Sequence, residues 1–286
     1  MANVAPETST ARVPPRPLLA AWTLCHREWV RFIRQPNRVF GAIGQPLIFW
    51  LLFGAGLRQS FRMPGTSDSG LTYREYFFPG SIVLILLFTA IFATISIIED
   101  RREGFLQSVL VAPIPRWSMV LGKVLGGTLI ALVQGLIFLA LGFTIGMRFG
   151  PLLLTEIVLL MFVISLALTS LGFVIAWRMD STQGFHAIMS VFLLPMWLLS
   201  GAFFPVPSLS SNLGWAEWLL ALVMRINPLT YGVAELRRLV FAASPLTPPA
   251  ASPPAMLNWA VTLAFAALMF ALAWRISAQR TTADLL

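Results

Sequence analysis

The chain has 286 residues, 57% of them hydrophobic and 11% charged, with a mean hydropathy of +0.79. Soluble domains average roughly 45–50% apolar and about 25% charged, so a soluble enzyme is excluded and a polytopic membrane protein is indicated. The net charge of +8 comes almost wholly from arginine, with Lys123 the lone lysine, which suits anionic lipid headgroups better than nucleic acid. One cysteine, Cys25, and two histidines, His26 and His186, leave no internal disulfide and little for metal chemistry.

In chain order, residues 1–16 are polar and proline-rich without an apolar signal-like core, and read as a disordered cytoplasmic tail. Residues 17–36 are bounded by prolines that suit a helix start and stop. At 100° per residue, Arg27, Arg31 and Arg34 fall within about 60° of one another, while Leu18, Trp22, Cys25, Trp29 and Ile33 cluster opposite. That pattern predicts an in-plane amphipathic helix, either a membrane-surface anchor alone or an anchor that also docks a cytoplasmic partner. Residues 37–286 hold six apolar blocks: Arg38–Leu57, Phe77–Ile98, Met119–Met147, Leu152–Trp177, His186–Phe204 and Met256–Trp274. Each can cross roughly 30 Å as helix. Trp215–Met224 is too short to cross and reads as re-entrant or interfacial.

Six spans put both termini on one side. Thirteen bases (Arg12, Arg16, Arg27, Arg31, Arg34, Arg38, Arg101, Arg102, Arg116, Lys123, Arg178, Arg275, Arg280) share the side of the termini, against seven opposite, which places both termini in the cytoplasm of a prokaryotic cell membrane. No phosphate loop and no zinc-protease motif occurs, and Glu99, Asp100, Glu156 and Asp180 sit at span ends. Both intramembrane hydrolysis and ion-coupled transport therefore lack a mid-span titratable group. The mid-span polar groups are mainly Gln45 and Gln134. Gln45-Pro46 either lines a path or is a proline kink with an amide partner. Gly122-x-x-x-Gly126 and Gly142-x-x-x-Gly146 indicate close helix packing.

Between the second and third blocks, charges at Glu99–Glu103 precede Gly104 and a short apolar helix carrying Phe105, Leu106, Val109 and Leu110, closed by Pro113, Pro115 and Arg116. By itself this is a solvated elbow or a docking knob. The run from Arg101 through Arg102, Glu103, Gly104, Phe105, Leu106, Val109, Pro113 and Arg116 to Leu121-Gly122-Lys123 resembles the coupling region of type-2 ATP-binding-cassette (ABC) exporter permeases. Ser200-Gly201-Ala202-Phe203-Phe204-Pro205 and Asn227-Pro228-Leu229-Thr230-Tyr231 resemble that family's motifs bracketing external re-entrant helices. The chain departs from the family at Phe105-Leu106-Gln107, where threonine, leucine and glutamate are usual, and in a proline-rich stretch from Ser244 to Pro254 that reads as a polyproline II spacer.

The resemblance implies an all-α permease subunit of an exporter that is itself no enzyme and binds no cofactor. ATP and magnesium would be held by a separate ATP-binding subunit, and a second permease chain, identical or related, would complete the pore. Spans rich in Phe, Leu and Trp with few buried charges suggest an amphipathic or hydrophobic cargo such as a drug, lipid or lipid-linked glycan. An ion-coupled carrier or a non-transport scaffold is the alternative.

Overall fold

A computed structural model describes residues 16–57, 72–207, 214–243 and 253–279. The expected tail before Arg16, most of the proline-rich spacer at 244–252, and residues 208–213 lie outside the described residues. Among the described residues there are helices and no strand. α1 (Pro17–Ile33) and α2 (Pro36–Gly56) each begin on a proline, whose missing N–H costs nothing in the first turn. α3 (Tyr73–Arg102) starts where the Glu75 carboxylate accepts the Thr72 backbone N–H at 2.8 Å. α4 (Phe105–Val111) is short, and α5 (Arg116–Leu139) tightens into a 3₁₀ turn at Ala140–Ile145. α6 (Pro151–Trp177) is followed by α7 (Thr182–Ile188) and α8 (Leu194–Trp197), which π-helical turns at Met189–Leu193 and Leu198–Ala202 join into one interrupted rod. α9 (Trp215–Ile226), α10 (Pro228–Ala242) and α11 (Ala255–Ala278) complete the chain.

Among the described residues, six helical stretches are long and apolar enough to cross a membrane: Val39–Gly56, Tyr73–Arg102, Arg116–Ile145, Pro151–Trp177, Thr182–Ala202 and Ala255–Ala278. They lie within a few residues of the six blocks read from the sequence. α9 and α10 bend by 79° at Asn227, and the pair would make a seventh span if counted as one.

α3 is the hub. Of its 30 residues, 23 are buried, because it is apolar on every side and α2, α5, α6 and α10 surround it. α2 and α11 are peripheral and keep most of their apolar surface open, as lipid-facing helices do. The tight core depends on glycines of α5. A β-carbon on Gly122 would lie 2.5 Å from the Ala21 carbonyl oxygen of α1, and one on Gly126 would lie 2.7 Å from the Glu28 Cβ. The first glycine pair therefore seats α1 on α5. The second pair does not make a helix contact: Gly146 stands at φ +83° in open space and ends the 3₁₀ turn, with the Met147 N–H donating to the Gly142 carbonyl at 3.1 Å.

Replacing Gly126 by Leu should lower stability by about 1–3 kcal/mol, as overpacking does. On α2, a β-carbon at Gly44 would meet nothing within 4 Å, so Gly44→Ala should leave the melting temperature in detergent unchanged or higher. Thermal unfolding of both purified variants checks the pair.

Candidate functional site

At the end of the bundle where α3 finishes, α1, α3 and α5 meet around a charge cluster. Glu99 and Asp100 occupy the last turn of α3, where the negative end of the helix dipole disfavours carboxylates. Three cations offset that. Arg27 forms a two-pronged pair with Asp100 at 2.9 and 2.7 Å, and Arg31 bridges Asp100 at 2.6 Å and Glu99 at 2.7 Å. Lys123 from α5 donates to Asp100 and, at 2.5 Å, to Glu28. Arg27, Arg31 and Lys123 thus balance Glu28, Glu99 and Asp100, with Glu103 a looser neighbour 3.6 Å from Arg31. Asp100 is fully buried, and Glu28 and Lys123 nearly so, which makes these pairs far less screened than surface pairs.

This placement corrects the sequence reading in several respects. Arg27 and Arg31 are pair-formers inside the protein rather than headgroup arginines, while Arg34 remains exposed. Trp22 is exposed and Trp29 half-buried, but Cys25 leaves their face and packs with Ala21, Leu24, Glu28 and Phe32 toward α5. Lys123 is no membrane-surface base. The bundle is also richer in buried charge than expected: Asp100 and Lys123 are buried within the long apolar stretches, and Glu235 and Arg237 are buried on α10 beside them.

The cluster reaches α4 directly. Gly104 at φ +73°, a conformation open to glycine and costly for other residues, turns the chain sharply between α3 and α4. The Arg27 guanidinium then lies 3.7 Å from the centroid of the Phe105 ring, an arrangement favoured by the ring's quadrupole. Leu106 is buried and Phe105, Val109 and Leu110 are partly buried, so the apolar face of the knob packs against its own bundle. Its open edge consists of Arg102, Glu103, Gln107, Ser108, Val111 and Pro113, whereas Arg116 is half-buried.

At the opposite end, Gly201 takes a left-handed conformation, φ +78°, and ends the π turn. Its carbonyl accepts from the Tyr76 hydroxyl at 3.0 Å and from Arg237 at 2.7 Å. Phe203 seats among Phe53, Tyr73, Phe77 and Trp197, with Phe204 beside it, and Pro205 follows in non-helical chain. Asn227 caps α10 by accepting the Leu229 N–H at 3.0 Å and donates to the Met196 carbonyl at 2.6 Å. Pro228 fills the first position of α10, and the Tyr231 hydroxyl donates to the Arg225 carbonyl at 2.9 Å. The two motifs, distant in sequence, are therefore one structural unit. Gln45 and Gln134 are not brought together: Gln45 is exposed on α2, and Gln134 is buried, accepting from Thr89 at 2.5 Å.

Residues 20–241 match the family model of ABC-2 type transporters. The chain belongs to the ABC-2 type transporter family. Relatives include the probable doxorubicin resistance ABC transporter permease protein DrrC of Mycobacterium tuberculosis, 27% identical over 240 residues and covering 81% of each chain. The putative transport permease ycf38 of Cyanophora paradoxa is 25% identical over 219 residues, 76% of this chain and 72% of that one. The probable multidrug ABC transporter permease YbhR of Escherichia coli is 29% identical over 154 residues, covering 52% of this chain and 41% of the relative. With its apolar helices, this membership makes the chain a multi-pass membrane permease subunit of an ABC transporter.

Sequence reasoning missed Glu28, Asp100, Lys123, Glu235 and Asn258 as interior groups. The signal available was weak: a solitary lysine inside an apolar block, and a glutamate on the arginine-rich helix. Removing Lys123 takes away the 2.5 Å partner of Glu28 and, among the described residues, leaves it Arg27 at 3.5 Å. Lys123→Met should therefore cost roughly 3–5 kcal/mol, the usual penalty for stranding a buried charge. Glu28→Gln in that background should restore part of the loss, read as recovered melting temperature in detergent. Burial, with the Glu28 carboxylate adding to it, pushes the Cys25 thiol above the ordinary cysteine range, which lowers its thiolate fraction at neutral pH. A maleimide should accordingly label Cys25 slowly in folded protein and quickly after denaturation, as followed by mass spectrometry.

Proposed function

We propose that this chain is the membrane half of an ATP-driven exporter. Two such chains, identical or related, would pair with two ATP-binding subunits that hold ATP and magnesium. Both termini would be cytoplasmic in a prokaryotic cell membrane, and α1 would lie along the cytoplasmic leaflet with Leu18, Leu19, Trp22 and Ile33 toward lipid. α9, α10 and the Gly201–Pro205 segment would form an external cap. The cargo would be an amphipathic or hydrophobic compound moved outward. The names of the Mycobacterium and Escherichia relatives, which mention doxorubicin resistance and multidrug transport, favour a drug-like cargo. The few free charges of the bundle favour it too, because the interior acidic groups are engaged by cations and amides.

The observation that carries this reading is the mounting of α4. A seven-residue helix is fastened by its apolar face and by Arg27 to a neutral ionic cluster linking three helices, yet keeps an edge of mixed polar and apolar residues, Gln107, Ser108 and Val111 among them, open. A solvated elbow needs no such mounting. A lever that receives force from an ATP-binding partner does, because a rigid attachment turns local displacement into helix movement.

Val111 is 84% exposed on that edge, so Val111→Asp should leave folding intact and lower ATP-dependent efflux by about tenfold, the equivalent of roughly 1.4 kcal/mol of lost docking. Leu106→Asp should instead reduce the amount of folded protein, since Leu106 is buried. The assay is efflux of a fluorescent amphipathic dye from vesicles with the proton gradient collapsed and ATP supplied. Efflux that ceases on adding the ionophore supports an ion-coupled carrier, and either that outcome or efflux that persists with a hydrolysis-dead ATP-binding subunit overturns the reading.

A further inference from the structure

The four residues Glu99-Asp100-Arg101-Arg102 close α3, and they work in two directions. Glu99 and Asp100 hold α1 and α5. Arg101 and Arg102 reach the opposite way, to the turn at 178–181 between α6 and α7. Arg101 Nη2 donates to the Trp177 carbonyl at 2.5 Å and Nη1 to the Met179 carbonyl at 3.1 Å, and its guanidinium lies 5.6 Å from the centroid of the Trp177 ring. Arg102 Nε donates to the Asp180 carbonyl at 3.2 Å. The last carbonyls of a helix have no partner within it, and here an arginine from another helix supplies the donors. The Asp180 carboxylate contributes little, being 94% exposed and 3.4 Å away. The grip is therefore on backbone, and it follows the chain wherever the turn moves.

That turn is the start of the interrupted rod. The Ser181 hydroxyl caps α7 by accepting the Gly184 N–H at 2.9 Å, and Phe185 anchors α7 in the core. Beyond it, two π turns flank Pro195, places where the regular hydrogen-bond ladder is broken and bending is cheap. The far end is fastened again: the Trp197 indole N–H donates to the Gly80 carbonyl at 2.9 Å, and the Gly201 carbonyl receives Tyr76 and Arg237. A rod held at both ends and weakened in the middle bends when one end is pushed.

We propose that Arg101 is a positioning residue that yokes the α3–α4 junction to the 178–181 turn, so that displacement of α4 is delivered to α7 and bends the rod Thr182–Ala202 at its π turns. This rests on the ATP-driven reading of α4. It adds that the push divides at the last turn of α3, one branch passing through Glu99 and Asp100 to α1 and α5 and the other through Arg101 to the fifth membrane-crossing stretch, which sequence motifs place nowhere near the coupling region.

The test uses the full complex co-purified with its ATP-binding subunit, in a Cys25→Ser background. Spin labels at Gln107 and Trp274 report α4 against α11, and labels at Gln183 and Trp274 report α7 against α11; all three positions are exposed. With magnesium, ATP and vanadate as the trapping probe, both distances should shift in the parent. Arg101→Gln should leave the α4 shift in place and reduce the α7 shift by about fivefold or more, the size of an ordinary coupling between sites. Arg101→Lys, which keeps a charged donor, should restore part of the α7 shift; a merely structural cap would change melting temperature without separating the two distances. An α7 shift undiminished in both Arg101 variants overturns the proposal, as does a parent in which α4 moves and α7 stays still. An α4 pair that does not move in the parent overturns the ATP-driven reading and this proposal with it.

Discussion

The fold of the bundle end where α3 finishes depends on how three helices place charges where water does not reach. Asp100 at the end of α3 is buried with its partners in place: Arg27, Arg31 and Lys123 converge on it. Each of those cations requires a particular helix position. α1 must sit at the depth that Gly122 and Gly126 allow, α5 must present Lys123 inward, and α3 must stop where Gly104 turns it. A shift of one helix turn would move partners by about 5 Å and leave several charges desolvated and unpaired, at a cost no apolar contact nearby could offset. The network's worth therefore lies in register rather than in net stability. Replacing a buried ion network by apolar residues is often neutral for stability, but it would not single out one alignment of α1, α3 and α5.

The opposite end solves a related problem with neutral acceptors. The Gly201 carbonyl gathers Tyr76 and Arg237, and the Phe203 carbonyl accepts from Tyr73 at 2.9 Å. Irregular backbone inside an apolar bundle is tolerated only where such donors satisfy it. The Ser200–Pro205 motif can leave helical conformation because α3 and α10 bring tyrosines and an arginine to its freed carbonyls. The aromatic rings around Phe203 then fill the volume beside it. A break in the helix is thus built as firmly as the helices on either side.

Between these two ends the bundle divides into a stiff part and a yielding part. α3, α5 and α6 approach closely through small residues: a β-carbon on Gly127 would lie 2.7 Å from Thr169 Cγ2 and 3.0 Å from Ala93 Cβ. The rod from Thr182 to Ala202 is less enclosed and carries the π turns. On the proposed reading, force entering at α4 would meet a rigid triad on one side and a bendable helix on the other. Packed cores are bistable rather than continuously deformable, so movement concentrates where packing is looser.

The sequence by itself determined the membrane class, the six long apolar stretches, the existence of a short helix after Gly104, and the three motifs that resemble those of the ABC-2 family. These follow from local properties: block length, proline and glycine punctuation, and residue type in fixed order. Only tertiary structure decided which way the amphipathic faces turn. Arg27 and Arg31 share a helical face with Arg34 in the sequence, yet two of the three point at Asp100 and Glu99, carboxylates that lie far along the chain, at separations of 73 and 68 residues. Likewise Phe105 and Leu106 present an apolar face whose periodicity is the same whether it docks a partner or its own bundle. Periodicity states that a face will be covered, and the partner that covers it is set by long-range packing and charge neutralisation, which no local pattern encodes.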